Sequence, residues 1–471
     1  MFYSINFRYK ILIVTFLIFV GTTFVHAQQK KPYNVLFIAV DDLNDWVAAY
    51  GKHDGVKTPN IDRLAKQGML FTRAYCPAPS CNPSRASMLT GVRPSTSGVY
   101  LNDQPWRPVL PNAVTIPQYF TQNGYDVMGT GKIFHDVYND KASWPEFYPV
   151  PKSLAPANIK KSAKNVAGRQ NFAWGPLDVE DSLMADFKIA DKGITYLQQN
   201  HSKPFFLAVG ITKPHLSWYV PQKYFDMYPL AGVKRPLVIP NDLDDVPPEG
   251  VKMARQQGDH KYITENNLWE NAVQGYIASI TFADAQIGRL LDALDKSKYK
   301  QNTIVVLFGD HGWNLGEKEH WRKFALWEES THVPFIITAP GMVKPNSVCD
   351  RTVNLMDIYP TLIDMCNFPP RKGLEAVSIL PLLKNPKLAW NHPSVTTWQR
   401  NNHSVRTERW RYTRYNNGGE ELYDHNKDPY EWKNLAADPK LAGIKKQLAA
   451  WLPKVNAANA PSENRPGSNG E

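Results

Sequence analysis

Several stretches of the chain are continuously apolar over strand length, and each ends at a turn that carries charge or glycine. Asn34 to Val40 (NVLFIAV) runs into Asp41-Asp42, and Thr303 to Phe308 (TIVVLF) runs into Gly309-Asp310-His311-Gly312. Tyr125 to Met128 leads to Gly129-Thr130-Gly131-Lys132, and Phe205 to Val209 leads to Lys213-Pro214-His215. Unbroken apolar runs of this kind read as strands buried on both faces, the pattern of a parallel sheet. Helical period is carried by Ile61 to Gln67 behind Thr58-Pro59-Asn60, by Thr115 to Asn123, by Asp181 to Gln199 and by Met356 to Met365. The longest such segment is Asn266 to Leu294, where Val273, Tyr276, Ile277, Ile280, Ile287, Leu290 and Leu291 form one apolar stripe. A further strand is expected at Pro334 to Ala339. Residues 136–180 have no sustained period and read as a long insertion over the site, and Pro236 to Gln257 reads as a proline-rich loop. From about residue 375 the pattern changes to short strands, Ser394 to Trp398, Ser404 to Tyr415 and Glu421 to Tyr423, followed by a helix from Leu441 to Leu452. Residues 459–471 read as a disordered tail.

The candidate chemistry gathers at the ends of the apolar runs. Asp41 and Asp42 are adjacent carboxylates at a central strand's exit, where open α/β sheets bind ligands and where hard oxygen donors suit a divalent cation. A turn or helix cap uses one aspartate well and two less well. Asp310 and His311 arrive at the same crevice by the same logic. Gly129 and Gly131 allow close backbone approach just before Lys132 and His135. Lys323, in a loop with Trp313, His320 and Trp321, suits either cation–π packing or an anion. The aromatic pairs Trp218-Tyr219 and Tyr224-Phe225 suit either sugar stacking or packing. Cys81-Asn82-Pro83-Ser84-Arg85 stands apart from these. Pro83 fits the first turn of a helix, which puts Cys81 at the helix N-terminus, facing free N–H groups that stabilise an anion. Arg85, a turn further along, points back to the same place. In isolation such a cysteine reads as a buried structural thiol.

Composition adds limits rather than chemistry. With 471 residues, 43% hydrophobic and 21% charged, the chain is large enough for an extensive core and excludes global disorder. Arg8 and Lys10, the apolar run Ile11 to Val20 and the ending Val25-His26-Ala27 have the layout of a secretory signal peptide cleaved after Ala27. The run is short for a membrane span and no cysteine follows it, so no membrane anchor is expected. Loss of residues 1–27 removes two positive charges and takes the formal balance from +10 to +8. A basic exported protein suits a polyanion, sulfated glycan or nucleic acid. Charge is all that favours nucleic acid, so no nucleic-acid partner is expected. The four cysteines are too few for a disulfide scaffold, and pairing of Cys349 with Cys366 stays open.

The Cys81-Asn82-Pro83-Ser84-Arg85 pentapeptide, with Leu89-Thr90-Gly91 behind it, resembles the formylglycine motif of the type I sulfatases. Lys132-x-x-His135, Lys213-Pro214-His215 and Asp310-His311-Gly312-Trp313 resemble the iduronate-2-sulfatase group in particular. The resemblance extends over nearly the whole chain after residue 27. It implies an α/β fold of the alkaline phosphatase superfamily: a large, mixed, mostly parallel sheet flanked by helices, with a smaller C-terminal antiparallel sheet plus helix. It also implies the organisation 1–27 signal peptide, 28–374 catalytic domain, 375–458 C-terminal subdomain and 459–471 tail. Cys81 would be oxidised to 3-oxoalanine by a formylglycine-generating enzyme. Asp41, Asp42, Asp310, His311 and the modified Cys81 would hold Ca2+. Arg85, Lys132 and Lys323 would neutralise sulfate, His215 would protonate the leaving alcohol, and His135 would take the proton from the second hydroxyl. The expected substrate is a sulfated carbohydrate, with 2-O-sulfated uronate the form suggested by the nearest motifs. The rival readings are a phosphoester hydrolase, which would keep Ser or Thr at position 81, and a non-catalytic binder of sulfated glycans.

Overall fold

In the computed structural model, residue 1 and residues 32–135, 138–151, 167–169 and 171–463 are described. The signal-peptide segment therefore lies outside the described residues, Met1 aside. The main sheet has eight strands: β1 (Asn34–Val40), β2 (Met69–Phe71), β3 (Asp126–Gly131), β4 (Glu146–Tyr148), β5 (Phe205–Ile211), β6 (Thr303–Gly309), β7 (Phe335–Thr338) and β8 (Ser347–Cys349). Their order across the sheet is β8-β2-β7-β6-β1-β5-β3-β4. The five strands from β6 to β4 run parallel, and β7 is antiparallel to both of its neighbours. Every residue of β1, β5 and β6 is buried. Their unbroken apolar sequences follow from having a core on each side.

Alternation along β1 divides those cores. Leu36, Ile38 and Val40 join one cluster, covered by α1 (Pro59–Gln67), α3 (Ala185–Gln198) and α4 (Trp269–Lys296). Val35, Phe37 and Ala39 join the other, covered by α2 (Cys81–Thr90) and α5 (Ile358–Met365). The C-terminal sheet is β9 (Ser394–Thr397), β10 (His403–Arg406), β11 (Trp410–Arg414) and β12 (Glu420–Asp424), all antiparallel, with α6 (Ala442–Ala449) packed on it. Among the described residues no helix is long and apolar enough to cross a membrane.

Four expectations need correction, and one open alternative is decided. The segment 136–180 contains β4 at the sheet edge, and Phe172–Leu177 pairs with Trp218–Pro221; neither strand is long enough to show a clear period. Of the two uses open to the aromatic pairs, Trp218, Tyr224 and Phe225 serve packing, being buried in the core. The proline-rich segment 236–257 includes a helix, Pro248–Arg255, which starts on the proline that a helix tolerates in its first turn. Ser404 to Tyr415 is two strands of a hairpin rather than one. Finally, residues 459–463, expected in a disordered tail, lie along residues 98–104, where Ala460 N–H donates to Gly98 O and Glu463 N–H to Asp103 O. Residues 464–471 lie outside the described residues. Cys349 and Cys366 are both free thiols, as are the other two cysteines.

Candidate active site at the strand exits

Register decides what meets at the carboxyl edge of the sheet. Val40 is level with Gly309 on one side and Ile211 on the other, and Gly210 is level with Gly131. Asp41, Asp310, Lys132 and the Lys213-Pro214-His215 turn therefore leave the sheet side by side. The β3–β5 contact requires glycine on both strands. A Cβ on Gly131, at φ 75°, would stand 2.1 Å from Gly210 O, and one on Gly210 would stand 2.1 Å from Lys132 O. Asp42 adopts φ 60°, in the left-handed region that costs a non-glycine residue free energy. Its N–H donates to Asp310 Oδ1 at 3.0 Å.

Helix α2 brings Cys81 to this edge at its first position. Ser80 does not cap the helix; the Asn102 carboxamide accepts from Asn82 N–H at 3.0 Å and from the Ser80 hydroxyl at 2.7 Å. Around Cys81 Sγ lie Lys323 Nζ at 2.9 Å, His311 Nε2 at 3.3 Å and Lys132 Nζ at 3.8 Å. Lys323 Nζ also reaches Asp42 Oδ1 at 2.8 Å, and Lys132 Nζ reaches Asp41 Oδ2 at 2.6 Å. Ligating atoms of Asp41, Asp42, Cys81 and His215 lie within 4.8 Å of one another, as do those of Asp41, Cys81, Asp310 and His311. His135 is buried three residues past Lys132, its ring 5.9 Å from that of Tyr138, and is outside both of these groups.

Arg85, expected beside the sulfate, makes four bonds within the protein. It donates to Asp310 Oδ2 at 2.8 Å, to Asp41 Oδ1 at 3.0 Å, and to the carbonyls of Lys132 and Ile133. Its position here is that of a clamp on two carboxylates. Three buried carboxylates, Asp41, Asp42 and Asp310, are thus matched by three buried cations, Arg85, Lys132 and Lys323. Burial alone would raise the Asp41 carboxyl, but Lys132 and Arg85 outweigh it and hold it well below the usual range. Asp42 is lowered likewise, burial again being overcome by Lys323 and His215. Burial depresses the His311 imidazole, which favours the neutral form that can donate a lone pair to a metal. Burial, with Asp41 beside it, pushes the Cys81 thiol well up.

The donor set fits a divalent cation. Three carboxylates and a neutral imidazole converge, and Asp42 Oδ2 is buried with no hydrogen-bond partner. The excess of oxygen donors favours a hard ion such as calcium, with the imidazole the less usual member. His215 Nδ1 pairs with Leu216 O at 2.6 Å, leaving Nε2, buried and without a hydrogen-bond partner, turned to the carboxylate cluster. Lys213 braces that turn by donating to the carbonyls of His215 and Ser217. Its burial brings the ammonium down to about 8.

Two supporting residues have no signal in the sequence. Tyr276 lies on the apolar stripe of α4, yet its hydroxyl donates to Asp42 O at 2.7 Å and accepts from Asn44 N–H at 3.0 Å. Asn102 sits in a polar loop like many others. Ser84, whose hydroxyl donates to Asp310 O at 2.6 Å, lies inside the Cys81–Arg85 pentapeptide and was within reach of the motif.

Known proteins resemble this chain over most of its length. The family described as Sulfatase matches residues 33–368, and the family described as N-sulphoglucosamine sulphohydrolase, C-terminal, matches residues 316–458. A sulfatase of Formosa agariphila is 38% identical, over 92% of this chain and 88% of its own. Iduronate 2-sulfatase of Homo sapiens is 32% identical, over 72% of this chain and 70% of its own. The solved structure of BT1596, a 2-O GAG sulfatase, superposes with a TM-score of 0.71 at 25% identity, over 93% of this chain and 99% of its own.

Proposed function

The chain belongs to the sulfatase family, and from that premise we propose that it is an exported enzyme that removes O-sulfate from a sulfated saccharide, with 2-O-sulfated hexuronate as the favoured unit. One observation carries the reading: Lys132 and His311, from separate strand exits, and Lys323, from the loop beyond His311, all lie within 3.8 Å of the Cys81 sulfur. The 2-O preference draws on what iduronate 2-sulfatase and the 2-O GAG sulfatase are named for.

Oxidation of Cys81 to formylglycine by a formylglycine-generating enzyme would supply an aldehyde hydrate, one hydroxyl to attack sulfur and a second to let the sulfate be expelled. Calcium, held by Asp41, Asp42, Asp310, His311 and residue 81, would supply positive charge that favours the ionised hydroxyl. Lys132 and Lys323 draw the sulfate oxygens to the position beside residue 81 and offset charge that grows in the transition state. Arg85 keeps Asp41 and Asp310 aimed inward. His215 delivers a proton from Nε2 to the leaving sugar oxygen, its Nδ1 being tied to Leu216 O. His135 accepts the proton of the second hydroxyl in the release step.

A phosphoester hydrolase and a silent glycan binder explain less. The first has no need of cysteine at position 81, and the second has no need to keep a complete set of acid, base and cations around it. Mass spectrometry of the peptide spanning residue 81, from cells that carry the modifying enzyme, tests the maturation step. The expected species is the aldehyde or its hydrate. An active sulfatase with only unmodified cysteine at this position would overturn that step.

A further inference from the structure

A cavity of about 280 Å3 is walled in part by the residues that flank Cys81 and Lys323 along the chain. Its wall includes Ser80, which precedes Cys81, and Phe324, which follows Lys323. It is near the lower end of small-molecule pockets, about 300 Å3, so it has room for a sugar ring rather than a long chain. Among the described residues the lining holds one ionisable side chain, Asp103; the other polar groups include the amides of Asn102, Gln256, Gln257 and Gln399. Two of its polar atoms are buried without a hydrogen-bond partner, the acceptor Asp103 Oδ1 and the donor Trp398 Nε1, on residues each 4% exposed. Buried polar groups left unmet are costly and uncommon, and an acceptor and a donor lining one cavity mark a place built for a ligand. Phe324 and Trp398 stack with centroids 5.0 Å apart and form the apolar wall. Phe324 holds φ 78°, a strained conformation of the kind that collects at ligand sites.

Resting on the sulfatase reading above, we propose that this cavity binds an uncharged saccharide ring, the neighbour of the sulfated sugar. A hydroxyl of that ring donates to Asp103 Oδ1, and a ring or hydroxyl oxygen accepts from Trp398 Nε1. Sulfate belongs with the lysines, and a second sulfate or a carboxylate here would be set against the Asp103 carboxylate. The enzyme therefore prefers substrates in which the adjoining ring carries no anion.

Two probes test this: a 2-O-sulfated hexuronate–N-acetylhexosamine disaccharide, and 4-nitrophenyl sulfate, which has no sugar. In Asp103→Ala and in Trp398→Phe the ratio of kcat/KM for the disaccharide to that for the aryl sulfate falls by about tenfold, the worth of one hydrogen bond, chiefly through KM. An unchanged ratio in both variants overturns the proposal. A wild-type comparison needs no variant: a disaccharide whose hexosamine also carries sulfate is cleaved at least about tenfold less efficiently. Equal or better cleavage of that substrate also overturns it. Release of sulfate from neither probe by the wild type, with residue 81 shown to be modified, removes the premise and the proposal together.

Discussion

Lys323 stands between two residues in the left-handed region, Arg322 at φ 81° and Phe324 at φ 78°. That turn holds a fully buried ammonium against Asp42 and Cys81, and the Asp42 carboxylate keeps it charged despite burial. Replacement by methionine fills the volume without the charge. Lys323→Met is expected to lower kcat on an aryl sulfate by about 100- to 1,000-fold, as loss of one group that stabilises transition-state charge does elsewhere. Retention of more than a tenth of the rate would remove Lys323 from the machinery. At this scale the sequence was informative wherever a charged residue follows an apolar run, as at Asp41, Lys132, His215 and Asp310. It was silent on Tyr276 and Asn102, because a tyrosine on an apolar stripe and an asparagine in a loop look the same whether or not they brace a catalytic turn.

The ends of β3 and β5 touch through Gly131 and Gly210, and Lys132 is the next residue out. Gly210→Ala pushes a methyl group into the Lys132 backbone. The expected result is at least a tenfold loss of kcat/KM, since displacement of a charged group by about 1 Å costs on the order of 100-fold. A normal rate in a folded variant would show that this contact does not position Lys132. In the C-terminal sheet, His403 on β10 is buried neutral: Nε2 donates to Asn456 Oδ1 at 2.8 Å and Nδ1 pairs with Thr397 Oγ1 at 3.0 Å. Burial, with Arg414 adding to it, brings its pKa from 6.5 down to about 4. The unfolded chain thus binds the proton more readily. The group's contribution is complete above pH 6.5, falls as pH drops towards 4, and changes no further below that. Between pH 7 and 5 it should remove about 2 kcal/mol of unfolding free energy. Denaturant titration at both pH values, on the wild type and His403→Gln, should show a slope smaller by that amount in the variant. Equal slopes would contradict the assignment. Long buried strands and the long amphipathic helix were legible from period. The strands Glu146–Tyr148 and Phe172–Leu177 were not, because three to six residues give too few repeats to separate a strand from a loop.

Across the whole molecule, the active site depends on contacts from widely separated parts of the chain. Residues 457–463 hold the 95–104 segment through Ala457 to Ser95, Ala460 to Gly98 and Gln104, and Glu463 to Asp103. Asn102 in that segment completes the start of α2 at Cys81. Truncation after residue 456 is therefore expected to lower both the thermal midpoint and kcat, by roughly tenfold for the latter. A shortened protein with full activity would show the tail to be dispensable. The polar composition of the C-terminus gave no warning of this docking, which is made largely by backbone groups. The central claim is that residue 81 reacts with a sulfate ester held by the surrounding cations. It is tested most directly by following sulfate and phosphate release from matched sulfate and phosphate esters, with wild type and Cys81→Ala side by side. The account predicts sulfate release as the dominant wild-type activity and a loss of at least about 1,000-fold in the variant. Sulfate release by Cys81→Ala near the wild-type rate, or phosphate release as the dominant reaction, would contradict it.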